Sequence, residues 1–329
     1  MGEHRMASPI RHVIIIVKEN HGFDNYFGTF PGVAGAVMAH SPNPPTVDPD
    51  HRHAAWLSRA KTAVREQFLK TDIPQYFSYA KQFTLCDRYF TDVAGPSTPN
   101  HLMLIAGDSP IIDNPSTKYR TGPSAPLYTL PSLPEALGKA RKSWGNYGGY
   151  AFAMIHGLAG KNSFPSDQFA RDAKAGKLPA VSWVYAPHAL SEHPPDPQDA
   201  KDPQVGNVTL GMQWTAEQVN AVVAGGLWPS SAVFITWDDW GGWFDHVDPP
   251  EVEKWKDGSQ FRYGGRVPCL VLGPYARRGH VSSTLRSHVS LLRFCVATFG
   301  LKPWNARVTS ADDMTDCFDF KGPPAPPPN

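Results

Sequence analysis

Four short, unbroken apolar runs constrain this chain more than anything else in it: HVIIIV at 12–17, AVSWVYA at 180–186, SAVFITW at 231–237 and VPCLVLG at 267–273. They are rich in β-branched residues, and none alternates apolar with polar. Each therefore reads as a strand buried on both faces, the pattern of a parallel sheet. SWGNYG at 143–148 is a weaker fifth candidate. Between the runs lie helix signals. Ser132 can cap PEALGKAR, with Pro134 in the first turn, and Ser166 can cap DQFARDAKA, which stops at Gly176. Thr215 and Gln218 have capping-box spacing ahead of VNAVVAG, and His288–Phe299 reads as a helix closed by Gly300. Strands alternating with helices predict an α/β fold: a mostly parallel central sheet with helices on both faces. The Pro-, His- and Asp-rich stretches 35–60 and 186–208 read as long functional loops. GPPAPPPN at 322–329 reads as an extended, disordered tail, which leaves 1–321 as a single domain.

Charge narrows the partners. The 31 Lys and Arg against 30 Asp and Glu leave a net charge of +1 with no charged run, and so no footprint for nucleic acid or an anionic membrane surface. No stretch approaches a membrane span. MGEHRMASPIRH lacks the apolar core of a secretory signal, which leaves a cytoplasmic protein and a trimmed secreted one equally open. Oligomeric state is not written in the sequence. Cys86, Cys269, Cys295 and Cys317 form no CxxC pair. They read as core thiols, and spacing assigns no disulfide.

The third apolar run continues into WDDWGGWFDHVDPP (237–250), which sets Asp238, Asp239, Asp245 and Asp248 with His246 among aromatic rings. Crowded like charges need a positive partner. In open α/β sheets ligands bind beyond the carboxyl ends of the strands. The first run also ends in polar residues, with Glu19 and Asn20 in KENHGFDNYFG. Asp238 and Asp239 point to opposite faces while a strand stays regular, so both reach one site only if the chain turns, which Gly241-Gly242 makes easy. One divalent cation is the simplest partner. Carboxylate and amide oxygens suit Mg²⁺, Mn²⁺ or Ca²⁺ better than a soft ion, while the many histidines keep Zn and Fe open. The plainer alternative is that the aspartates cap a helix or hold a structural Ca²⁺, with Glu19 a solvated loop residue.

DVAGPSTPNHLMLIAG at 92–107 supplies a hydroxyl. Pro99 suits the first turn of a helix, with Ser97 or Thr98 at the N-cap and Gly107 at the end. A hydroxyl there lies in the positive field of a helix N-terminus, which favours an alkoxide and an incoming phosphate. A coordinated cation would ease its deprotonation and make it a nucleophile. Taken alone, GPSTPN is an ordinary cap.

Five segments together carry a resemblance: HVIIIVKENHGFDNYFGTFPGV, DRYFTDVAGPSTPNHLMLIAG, SEHPPDP (191–197), WDDWGGWFDHVDPP and RVPCLVLGPYARRGHV. In order, and over most of residues 10–295, the chain resembles the bacterial phosphoesterase family that joins phosphocholine-type phospholipases C with a group of acid phosphatases. That family lies within the alkaline-phosphatase-like superfamily. The resemblance implies an alkaline-phosphatase-like α/β sandwich. It implies one divalent metal ion held by Glu19, Asn20, Asp238 and Asp239, with Ser97 as nucleophile completing the sphere and Thr98 second. It further implies that Asn100, His101, His193 and His246 surround the phosphate or donate protons. His193 or His246 would protonate the leaving alcohol and then activate water against a phosphoserine, and His188, on the same loop as His193, is its substitute. His12, His40, His51, His53 and His280 are expected to be ordinary and His288 structural, with Asp245 either orienting His246 or fixing the loop, and Asp248 either fixing the loop or exposed without a role.

The implied activity is metal-dependent hydrolysis of a small phosphoester or a phospholipid, with monoester and diester both open. His21-Gly22 stands where many members have Arg-Ser or Gln-Ser, and Asp238-Asp239 where phospholipase-like members often have Asp-Glu. C-terminal extensions of the larger phospholipases are missing. These departures weigh against phospholipase activity more than against phosphoester hydrolysis. No Cys-x-Pro-x-Arg site supports a sulfatase. The alternative of another class is a non-catalytic binding protein with a structural cation, in which Ser97→Ala would leave function untouched.

Overall fold

The computed structural model describes residues 8–115, 128–199 and 202–328. At its centre is an eight-stranded sheet: β1 (His12–Lys18), β2 (Thr84–Cys86), β3 (Trp144–Tyr147), β4 (Ser163–Phe164), β5 (Val181–Tyr185), β6 (Ser231–Trp237), β7 (Cys269–Leu272) and β8 (His280–Ser282). Their spatial order is β8-β2-β7-β6-β1-β5-β3-β4. The two longest strands lie side by side, Val13 against Ala232 and Val17 against Thr236, with β5 on the other flank of β1. Residues 13–18 and all of β6 are buried, which is why their apolar runs show no alternation.

Around the sheet stand α1 (Phe23–Phe27), α2 (His53–Thr62), α3 (Pro74–Gln82), α4 (Ser97–Ala106), α5 (Leu133–Lys139), α6 (Gln168–Lys174), α7 (Val208–Ala224), α8 (His288–Phe299) and α9 (Ala306–Ser310). Two hydrogen bonds show that both faces are covered. On one face Trp183, the register partner of Ile15, donates its indole N–H to Leu104 O of α4. On the other, Lys18, three residues along from Ile15, donates to Gly211 O of α7.

Several expectations are corrected. β7, read as parallel, runs antiparallel to both β6 and β2. A run buried on both faces carries no directional signal, so only the path of the intervening chain fixes its sense. β2, β4 and β8 are two or three residues long, too short for any period to show. α7 starts two turns earlier than its capping-box pattern suggested: Asn207 is the cap, accepting from Leu210 N, and Thr215 sits mid-helix bonded to Gly211 O. Ser166 does not cap α6, which begins after Asp167. Part of the 35–60 stretch is helical, as α2. Within the Pro-rich tail Ala325 is docked: its N–H reaches Pro274 O and its carbonyl accepts from Trp228. The four cysteines are buried and unbridged, with Cys86 Sγ 3.8 Å from Cys317 Sγ.

Candidate active site

The carboxyl ends of β1 and β6 turn towards one another. Asp238 N donates to Lys18 O, extending the pairing by one step, and Asn20 N donates to Asp238 Oδ1. Asn20 has a positive φ of 60°, so the chain leaves β1 abruptly. Beyond β6 the aspartates build their own turn, with Asp239 N on Asp238 Oδ1 and Gly241 N on Asp239 Oδ1. A Cβ at Gly241 would lie 1.9 Å from Asn20 O, at a φ of 61°, so only glycine lets the two loops meet. This turn brings adjacent aspartates into one site.

α4 delivers the hydroxyl. Pro96 occupies the N-cap and Ser97 is the first helical residue, so the expected capping role falls away. Its Oγ instead donates to Asp239 Oδ2 at 2.9 Å and approaches Asn20 Oδ1 at 3.3 Å. Thr98 faces elsewhere, bonded to the Tyr150 hydroxyl. One turn along the helix, His101 Nε2 meets Asp238 Oδ2 at 3.1 Å, and its ring stacks on Tyr185. His101 Nδ1 and the Tyr185 hydroxyl are both buried without a partner among the described residues. Asn100 does not face the site. Its Oδ1 accepts from Val93 N, and its Nδ2 reaches the carbonyls of Val93, Gly95 and Pro96. All its polar atoms fold the turn that precedes Ser97.

The two long loops complete the site. His193 enters on 191–197, its Nδ1 bonded to Pro194 O, while His188 stands exposed against Asp199. His51, expected to be ordinary, lies across from it: its Nε2 is 3.2 Å from Asn20 Nδ2, and its ring centroid is 6.4 Å from that of His193. The only sequence signal for His51 was its place in the Pro-, His- and Asp-rich stretch. Asp48 flanks His51 at 3.6 Å and keeps one buried oxygen unpartnered. Glu192 anchors the loop below the site. It is fully buried, near Lys18 Nζ at 3.4 Å, and accepts from Tyr76, Tyr26 and Trp237.

The electrostatics follow from crowding. Burial pushes Asp239 up to about 7, and the charge of Asp238 adds to it. Asp238 resists the same burial because His101 bonds and charges against it, holding it down at about 2. Burial would lower His101 and His193, but Asp238 raises the first, and Glu19 with Asp48 raises the second. His51 rises to about 9 against its own burial through Asp239 and Asp48. That pull competes with its contact to Asn20 Nδ2, which needs an unprotonated Nε2. Protonated His51 requires the Asn20 amide to turn.

His246 lies apart from these groups. Its Nδ1 and N–H both bond to Asp24 Oδ2, at 2.6 and 2.9 Å. Asp24, Asp245 and His246 are close enough to hold a cation, and they form the only such cluster of three His, Cys, Asp or Glu side chains among the described residues. A cation is already there: Arg266, fully buried, bridges Asp24 and Asp245 at 2.9 and 3.0 Å. Asp245 thus fixes its loop through Arg266, and Asp24 rather than Asp245 orients His246. Asp248 is exposed and pairs with Arg59. His288 is structural, its Nε2 on Asp238 O.

The profile of the Phosphoesterase family matches residues 10–49, 43–165 and 154–302. The chain belongs to the phosphoesterase family. It is 26% identical over 97% of its length to a non-hemolytic phospholipase C of Pseudomonas aeruginosa, and 25% identical over 96% to phospholipase C B of Mycobacterium tuberculosis. It spans 58% of the first and 79% of the second. Among solved structures it is similar to a phosphonate monoester hydrolase of Silicibacter pomeroyi, with TM-score 0.50, 10% identity, and coverage of 93% of this chain and 76% of that one. It is equally similar to murine ectonucleotide pyrophosphatase/phosphodiesterase 5, with TM-score 0.50, 10% identity, and coverage of 94% and 100%. At such identities the likeness is one of fold, and the fold is alkaline-phosphatase-like.

Proposed function

We propose that this family member hydrolyses phosphoric esters with Ser97 as nucleophile and a phosphoserine intermediate. The observation that carries the reading is the approach of Ser97 Oγ, at the start of a buried helix, to Asp239 and Asn20. The donors suit a hard divalent ion. Asp238 and Asp239 each keep acceptor capacity beyond the bonds described, and the Glu19 carboxylate has no hydrogen-bond partner among the described residues. The rise of Asp239 towards neutral pH marks a carboxylate pair short of positive charge. Glu19, Asn20, Ser97, Asp238 and Asp239 would hold the ion. When bound, it would favour the alkoxide and the charge on phosphorus.

The rest falls to the chain. Ser97 Oγ gives its proton to its hydrogen-bond partner Asp239 Oδ2 and attacks phosphorus in line, forming the Oγ–P bond as the ester P–O bond breaks, and the proton returns to Oγ when phosphate leaves. Of the residues opening α4, Pro99 has no N–H and Thr98 N donates to Asn114 Oδ1, so the N–H of Ser97 is the one left to face the developing charge. His193, with Nδ1 held by Pro194 and Nε2 left without a described partner, protonates the departing alkoxide. The neutral imidazole then takes a proton from water, whose oxygen displaces Ser97 and releases phosphate. His51 takes the place beside the phosphate that His246 does not reach, and Asn100 positions Ser97 without touching substrate. The names of the relatives favour a phospholipid diester as substrate over a monoester.

Hydrolysis of p-nitrophenyl phosphate and p-nitrophenylphosphorylcholine tests both levels. Wild type should turn over at least one, and preference for the phosphocholine ester would favour the diester reading. Ser97→Ala should lower kcat at least about a thousandfold. Chelation should abolish turnover, and one added metal should restore it. Wild-type rates from Ser97→Ala would remove the nucleophile from this account.

A further inference from the structure

Beside the 240–249 loop is a cavity of about 330 Å³, large enough for a small ligand, and Ser97 is not among the residues that line it. It lies between that loop and α2. Its walls are mixed: Trp56, Trp240, Trp243, Phe244, Ala60 and Val247 supply apolar surface, and Arg59, Arg65, Asp245, His246 and Arg266 supply nearly as much polar surface. It is preformed. Val64 and the loop exchange two backbone bonds, Val64 N to Gly242 O and Phe244 N to Val64 O, and Trp56 stands edge-on to Trp240.

Of its three guanidinium groups, two are paired with carboxylates. Arg266 is paired with Asp245, and Arg59, stacked on Trp56, is paired with Asp248. Arg65 lies 3.6 Å over the Phe244 ring, exposed, and has no carboxylate partner among the described residues. His246 also lines the cavity; Asp24 occupies its Nδ1, and its Nε2 has no described partner. An aromatic-walled cavity with one unpaired guanidinium at its edge selects an apolar body carrying a single negative charge.

Two wall residues lead to the active site. The indole N–H of Trp243 holds Asn20 O, and that of Trp240 holds His51 O, each at 2.9 Å. The side chains of Asn20 and His51 meet one another beside Ser97.

We propose that this cavity is a second ligand site for an amphiphilic monoanion, and that its occupancy is transmitted to the active site through Trp240 and Trp243. Binding is tested independently of activity, by titrating the holoprotein with decanoate, decanol and decyltrimethylammonium and reading tryptophan fluorescence and calorimetry. The expected result is saturable binding of decanoate at one site per chain, with the other two weaker by at least about tenfold. The surface variant Arg65→Glu should lose the same factor. Ala60→Trp, which fills the cavity, should bind none while melting as a folded protein. Transmission is read as a decanoate-dependent change in kcat or KM for p-nitrophenyl phosphate that is absent from Arg65→Glu. Equal binding of the three probes, or by Arg65→Glu, overturns the site. Saturable binding with unchanged kinetics overturns the transmission.

Discussion

A histidine in this protein is defined by what holds its two nitrogens. His101, His193 and His246 have similar motif contexts, yet the first is buried against Asp238, the second faces His51, and the third is tied to Asp24. His21 shows what such placement costs. It is fully buried beside Asn25 and the Glu192 carbonyl, and burial pushes it down from 6.5 to about 4. Its folded value lies below its unfolded one, so the unfolded chain binds the extra proton as pH falls. The contribution to stability is complete above pH 6.5 and lost on the way down to 4, amounting to roughly 3 kcal/mol for this group. Urea unfolding at pH 7 and pH 4.5 should show a smaller fall for His21→Gln than for wild type. Parallel behaviour of the two proteins would remove His21 as a source of acid sensitivity.

At the scale of elements, the loops that form the site rest on buried anchors. Lys18, the last residue of β1, and Glu192, before His193, form a fully buried pair. Burial drives Lys18 down and Glu192 up, so each tolerates its charge only because of the other and of the Tyr26, Tyr76 and Trp237 donors. A Cβ at Gly211 would come within 2.2 Å of Glu192 Cγ, so α7 must also yield at that point. Lys18→Met should destabilise the fold by about 3–5 kcal/mol because it leaves an uncompensated buried carboxylate, whereas Lys18→Met with Glu192→Leu should recover most of that loss. Denaturant midpoints of the two singles and the double close this cycle, and additive losses would show that the pair is not coupled. The anchor also explains the reach of sequence reading here. SEHPPDP was legible as a motif, but nothing in it distinguishes His193, which faces His51, from Glu192, which holds the loop.

For the whole molecule, the site draws on the first third, the middle and the last third of the chain, so binding and folding should report on each other. Residues 1–321 are proposed to unfold as one unit. Circular dichroism and tryptophan fluorescence should then give coincident melts, with a two-step melt dividing the domain. Saturating Mg²⁺ or Mn²⁺ added to chelated protein should raise Tm by several degrees, since a ligand at a hundred times its Kd contributes about 2.7 kcal/mol. Asp239→Asn should abolish most of that shift. A shift that survives the substitution would place the ion elsewhere.

The sequence by itself determined the α/β class, the two central strands and the place of Glu19-Asn20 and Asp238-Asp239 at the sheet's carboxyl edge, because apolar runs without alternation must be buried and polar residues just beyond them must lie at that edge. It also marked Ser97 and the loops that carry His51 and His193. Only the tertiary structure decided which residues within those segments meet. Asn100 turned inward because the 93–96 turn had carbonyls to satisfy, and Arg266 took the place of a cation between Asp24 and Asp245. His51 entered the site because Trp240, distant in sequence, holds its carbonyl. Residue type and spacing constrain local backbone and burial. The partner that fills each hydrogen bond comes from long-range packing, which no local pattern encodes.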